Sequence, residues 1–135
     1  MGRPLLILLD THVVVWLASG DARMSRPAQA AINEARKSER ALAISDFTLF
    51  ELSQLIRKKQ FILAVSPESF LQEVERRFVV LPITSNIALQ AFELPPSYPK
   101  DPADRIIGAT SLIEDLPLVT ADNQIRKSAA VRTIW

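Results

Sequence analysis

Five short, mostly apolar runs set the frame of this chain: residues 5–9, 41–44, 78–83, 116–120 and 131–135. A stretch that is apolar at consecutive rather than alternate positions is a strand covered on both faces, the habit of a parallel sheet packed between helices. The longer segments between them carry helix signals. Ser25-Arg26-Pro27 opens one that runs to about Lys37, and Phe47 to about Lys59 forms a second. Ser66-Pro67 starts a third with proline in the first turn. Thr84 or Ser85 caps a fourth through Phe92, and Asp101-Pro102 a fifth through about Glu114. Residues 94–100 hold three prolines and read as loop. The resulting order, β-α-α-β-α-α-β-α-α-β-α-β, predicts an α/β fold, a three-layer α/β/α sandwich around a central, mainly parallel sheet. No repeat or linker divides residues 1–135, which are expected to form a single domain.

Composition removes most chemistries. There is no cysteine, which excludes a disulfide scaffold, a zinc ribbon, a thiol nucleophile and a Cys-ligated cluster. A single histidine, His12, excludes a multi-His metal site within one chain. Oxygen ligands remain, and they select a hard cation such as Mg²⁺ or Mn²⁺. The three glycines form neither GxGxxG nor a P-loop, which argues against dinucleotide or ATP binding by the usual loops. A net charge of +1 supplies no bulk attraction for nucleic acid, so any such contact must be local. The first apolar run ends at Asp10, too short to span a membrane and without a cleavage site behind it; a cytoplasmic protein without membrane association is expected.

In open parallel sheets, ligands bind beyond the carboxyl ends of the strands, near the switch in strand order. Acids fall there. Asp10 ends the first strand, and Asp122 follows the fourth by two residues. Glu51 lies between Phe47 and Leu55 on the apolar face of its helix, where a carboxylate is costly without a cation or donors. Asp104 occupies the first turn of the fifth helix, one turn before Gly108, whose helix cost points to close packing against the sheet. Each acid also has a plain structural reading. Asp10 and Asp122 suit helix caps, Asp104 favours the helix dipole, and Glu51 could pair with a buried Arg105. Together, acids converging at one sheet end repel each other unless cations neutralise them, which describes a hard-metal site.

Leu8-Leu9-Asp10-Thr11-His12, Phe50-Glu51-Leu52, Asp101-Pro-Ala-Asp104-Arg-Ile-Ile-Gly-Ala-Thr and Leu118-Val-Thr-Ala-Asp122 resemble, in this order and across essentially the whole chain, a PIN domain. Within that family they are similar to the VapC-type toxin ribonucleases of bacterial toxin–antitoxin pairs. The resemblance implies an Mg²⁺- or Mn²⁺-dependent endoribonuclease, a homodimer, and inhibition by a cognate antitoxin protein. It implies that Asp10, Glu51, Asp104 and Asp122 are the catalytic and metal-binding acids, with Thr11 or Thr120 as an accessory hydroxyl and Asn123 within reach of a metal water. Asp101 reads mainly as a helix cap.

The expected reaction is hydrolysis of an RNA phosphodiester by a metal-activated water. Asp10 would be the principal ligand, Asp104 and Asp122 direct or water-mediated ligands, and Glu51 the residue that holds the water or takes its proton. His12 is expected to point away from Asp10 if the chain is still extended there, and so to be structural. Basic clusters at Arg57-Lys58-Lys59 and Arg126-Lys127 are candidate RNA contacts because their helices carry or follow site acids. Arg36-Lys37 with Arg40, and Arg76-Arg77, also lie near helix ends, and Arg76-Arg77 reads as a solvated helix end. The segment from Phe47 to Ile62 is more apolar than one helix face requires, and its surplus could meet an antitoxin helix or a second copy. A PIN scaffold that only binds partners is the main alternative. A haloacid-dehalogenase-type phosphotransferase would want Asp where His12 stands, and a receiver module would want an Asp where Pro82-Ile-Thr follows the third strand.

Overall fold

The computed structural model describes residues 6–38 and 41–135. Leu5 of the first predicted strand and Arg40 of the first basic cluster lie outside these residues. Five parallel strands form one sheet: β1 (Ile7–Leu9), β2 (Leu42–Ser45), β3 (Val79–Leu81), β4 (Leu118–Val119) and β5 (Thr133–Ile134). The helices between them are α1 (Thr11–Ser19), α2 (Arg26–Arg36), α3 (Asp46–Arg57), α4 (Pro67–Arg77), α5 (Ser85–Ala91), α6 (Pro102–Glu114) and α7 (Asn123–Ser128). The element order is the one the sequence predicts, and the sheet is wholly parallel.

Local chemistry explains the helix starts. In each of these helices the residue before the first turn (Asp10, Ser25, Ser45, Ser66, Thr84, Asp101 or Asp122) accepts a backbone N–H with its side chain. Pro27, Pro67 and Pro102 sit in first turns, where a missing N–H costs nothing.

Strand alternation divides the core between the two faces. Ile7, Leu9, Leu42, Ile44 and Val119 pack with Val13, Val14, Ile32, Leu52 and Val74 of α1 to α4. Leu8, Ala43 and Leu118 pack with Ile107 of α6, Ile125 of α7 and Tyr98 of the proline-rich loop. β1, β2 and β4 are buried, whereas the edge strands β3 and β5 are half-buried. The expectation of two covered faces therefore holds for the three inner strands. The inner β4, as well as the edge strands β3 and β5, is shorter than the apolar run that predicts it.

The strand order is β3-β2-β1-β4-β5. From β1 the chain moves outward on one side to β2 and β3, then crosses back to place β4 on the other side of β1. The switch in strand order thus falls between β1 and β4, and the residues that follow these two strands open the site.

Candidate active site

Asp10 follows β1 directly, and its N–H donates to the Val119 carbonyl of β4 at 3.0 Å, which locks it to the switch. Its side chain is 6% exposed. Oδ1 accepts the Thr11 N–H at 2.8 Å and Oδ2 accepts the Thr120 hydroxyl at 2.7 Å. Burial raises its carboxyl above the usual carboxylate range, opposed by the Thr120 bond and by His12. Thr120, fully buried, also accepts the Asp122 N–H at 3.1 Å through the same hydroxyl oxygen. One side chain thereby ties the acid after β1 to the acid after β4.

Glu51 reaches the same place from α3. Thr11 donates its hydroxyl to Glu51 Oε1 at 2.5 Å, and the Thr11 and Thr48 hydroxyls lie 3.0 Å apart. Thr11 has one hydroxyl proton and gives it to Glu51, so Thr48 is the donor to Thr11. Burial raises the Glu51 carboxyl, and the Asp10 charge adds to the rise. The Thr11 hydroxyl receives this half-buried carboxylate. The ion pair with Arg105 does not form: Arg105 Nη1 donates to the carbonyls of Ala91 at 3.1 Å and Leu94 at 3.5 Å, pinning the end of α5 and the loop behind it.

Asp104 sits in the first turn of α6, its N–H directed at Asp101 Oδ1 at 3.3 Å. Its carboxyl is pushed up to about 7 by burial and by the charges of Asp10, Asp101, Asp122 and Glu51. Gly108 packs one turn on, closest to Tyr98. A Cβ there would stand 2.6 Å from Tyr98 Cζ and closer still to the phenolic oxygen. The bare glycine lets the fully buried Tyr98 lie on α6 and donate its hydroxyl to the Asp104 carbonyl at 2.7 Å. Asp122 caps α7, with Oδ1 accepting the Ile125 N–H at 2.9 Å. The capping readings of Asp10, Asp101 and Asp122 are therefore met, and the same residues border one cleft.

That cleft is lined by Asp10, Glu51, Asp101, Asp104 and Asp122, together with His12, Trp16 and Ala121. No Lys or Arg among the described residues lines it, so the negative charge is unbalanced and adds to the rise that burial imposes on Asp104. Among the described residues no three of these side chains stand close enough to chelate one ion directly. An all-carboxylate donor set of this spacing fits a small hard dication that keeps several of its own waters.

Three expectations change. His12 does not point away: Asp10 caps the chain at once, α1 begins at Thr11, and the exposed His12 ring borders the cleft. Asp101 is a cleft acid as well as a cap. Asn123 is exposed and outside the cleft lining, its Oδ1 accepting Arg126 Nη1 at 3.3 Å. Trp16, Asp101, Thr48 and Tyr98 were not among the predicted site residues. A signal for Trp16 was present, since an i, i+4 pair with His12 follows as soon as the helix start is placed at Thr11.

Of the basic clusters, Arg57, Lys58, Lys59, Arg126 and Lys127 are exposed. Arg76 and Arg77 both pair with Glu73, as a solvated helix end does. Of the apolar surplus, Leu52 and Phe61 are core, whereas Phe50 and Ile62 face solvent.

A sequence profile of the PIN domain family matches residues 7–131 of the chain. The chain belongs to the PIN-domain family. It is 36% identical over 131 residues to Ribonuclease VapC22 of Mycobacterium tuberculosis, covering 96% of this chain and 98% of that protein. Among solved structures, this PIN domain is similar to a toxin–antitoxin complex from Klebsiella pneumoniae, with a TM-score of 0.66, 24% identity and coverage of 93% and 94% of the two chains. It is similar also to VapBC2 from Rickettsia felis bound to a promoter DNA fragment, with a TM-score of 0.68, 15% identity and coverage of 96% and 97%. At these identities the structural matches establish the PIN fold. No helix among the described residues is long and apolar enough to cross a membrane.

Proposed function

We propose that this protein is a VapC-type endoribonuclease, the toxin of a toxin–antitoxin pair, which hydrolyses RNA phosphodiesters at the acid cleft with Mg²⁺ or Mn²⁺. The observation that carries the reading is the convergence of Asp10, Glu51, Asp104 and Asp122, from four separate parts of the chain, on one cleft with no Lys or Arg of the described residues in its lining. The similarity to a protein named as a ribonuclease supports the reaction class.

Asp10, Asp104 and Asp122 would hold the cation, Asp10 foremost because two hydrogen bonds fix both of its oxygens. Bound there, the cation supplies acidification of a water and neutralisation of phosphate charge. Glu51, oriented by Thr11 and with its proton affinity raised by burial, accepts the proton of the attacking water. Thr120 keeps Asp10 and the backbone before α7 in register, which fixes the spacing of two of the acids. Arg57, Lys58, Lys59, Arg126 and Lys127 contact phosphates of the strand outside the cleft.

The partners under this reading are an RNA substrate, a cognate antitoxin and a second copy of the chain, in the cytoplasm. The exposed Phe50, Leu89 and Phe92 provide apolar surface for such contacts. The test is incubation of partner-free protein with a mixed RNA pool and Mg²⁺ or Mn²⁺, beside Asp10→Asn. Cleavage that needs metal and disappears in the variant supports the reading. Equal cleavage by both proteins, or intact RNA of every type with the wild type, rejects it in favour of another site or a partner-binding scaffold.

A further inference from the structure

The acid cleft poses a difficulty for its own substrate, because five carboxylates border it and an RNA strand is a polyanion. A bound cation meets the reacting phosphate alone, and contacts that do not depend on charge would add grip on the nucleotide beside it. Among the described residues, three that line it are not acids: Ala121, His12 and Trp16. Two of these carry rings, and they stand one turn apart on α1 with centroids 6.4 Å apart and planes tilted by 57°.

Trp16 is held in place more firmly than a rim residue needs to be. The Arg23 guanidinium lies over its ring, 4.8 Å from the centroid. Arg23 is itself fixed by Asp21, which accepts Nε at 3.1 Å, Nη2 at 2.8 Å and the Arg23 backbone N–H at 2.8 Å. Trp135 packs against the indole from β5's end, with centroids 5.7 Å apart. The half-buried indole also walls a second cavity beyond the cleft, where Asp21, Gln29 and Asn33 present hydrogen-bonding groups. A flat, immobilised aromatic between an acid cleft and a polar pocket is a surface on which a base can stack.

We propose that Trp16, with His12, is the nucleobase-stacking platform for the nucleotide that adjoins the scissile phosphate, and that the Asp21–Arg23 pair holds the indole in position. The proposal rests on the RNA reading above and adds a base subsite to it. Stacking accepts any base, so the platform positions single-stranded RNA. Choice among bases falls to the polar edge of the second cavity.

The experiment measures binding of a fluorescein-labelled, eight-nucleotide single-stranded RNA of mixed sequence, beside an abasic ribose-phosphate oligomer of equal length and charge. Both are titrated in Mg²⁺ against protein carrying Asp104→Asn, so that the RNA stays intact. Trp16→Ala is expected to weaken RNA binding roughly 5- to 100-fold, the effect of losing one stacked base, with no change for the abasic oligomer. Trp16→Phe restores part of the loss, which separates stacking from a folding defect. With Trp135→Phe as background, the remaining Trp16 fluorescence is quenched by RNA and not by the abasic oligomer. Equal losses for the two oligomers, or Trp16 fluorescence indifferent to RNA, overturn the proposal. Because binding is read without turnover, the platform stands or falls separately from the ribonuclease reading, which fails when the wild type cleaves no RNA.

Discussion

Removing Asp104 from this protein is expected to make the metal-free chain more stable. Burial, and then the crowding of four other carboxylates, push the Asp104 carboxyl from 3.8 to about 7. Below about pH 4 it is protonated in folded and unfolded chains alike and costs nothing. As the pH rises from 4 to 7 the unfolded chain ionises first and is favoured, so stability falls; above about pH 7 the full penalty stands. At about 1.4 kcal/mol per tenfold change in proton affinity, the rise corresponds to ~4 kcal/mol. Asp104 keeps part of its surface in water, which screens its neighbours and brings the figure nearer ~2 kcal/mol. Its own hydrogen bonds run through its backbone, to Asp101 and from Tyr98, so Asn at this position keeps them. In EDTA at pH 8, Asp104→Asn is therefore expected to melt about 8 °C above the wild type, at about 4 °C per kcal/mol for a chain of this size. The gap closes by pH 4, and saturating Mn²⁺ reverses it because only the wild type retains the full ligand set. A variant that melts at or below the wild type at pH 8, or a gap indifferent to pH, would refute the electrostatic argument.

Other substitutions test the supports of the site. Gly108→Ala drives a methyl into Tyr98 and is expected to cost about 1–3 kcal/mol in urea unfolding, whereas an unchanged midpoint would mean that Tyr98 moves freely. Thr120→Val removes the hydroxyl between Asp10 and Asp122 and should weaken Mn²⁺ binding roughly tenfold or more; unaltered affinity in a calorimetric titration would make Thr120 merely core. Alanine at both Lys58 and Lys59 should lower the slope of log K against log salt for single-stranded RNA by about 1.4, while Arg76→Ala, whose charge is paired with Glu73, leaves it unchanged.

How much of this was legible in the sequence depends on whether the signal is local. The apolar runs and capping residues are local, and they placed every strand and helix in order. Asp10 and Asp122 were legible because each follows a strand end, and the switch between β1 and β4 then brings them together. Glu51 stood out as an acid beside apolar neighbours, but its actual partner, Thr11, lies 40 residues away in sequence and comes within reach only when α1 packs on α3. Tyr98 sits in a proline-rich loop with no periodicity, so nothing marked it as the ring that needs Gly108 bare. Arg105 looked like an ion-pair partner, yet its donors meet backbone carbonyls of a neighbouring helix and loop. His12 reads as structural only if the strand runs on past Asp10, whereas Asp10 caps α1 at once and turns His12 and Trp16 to the cleft rim.

Under the proposed function, the converging acids form one cation site that cleaves RNA. Mn²⁺ titration at pH 8 followed by electron paramagnetic resonance, with RNA cleavage read in the same samples, tests it most directly. The wild type should take up Mn²⁺ and cleave, and Asp10→Asn, Asp104→Asn and Asp122→Asn should each lose both properties while remaining folded. Binding and cleavage that persist in all three variants would place the chemistry elsewhere in the molecule.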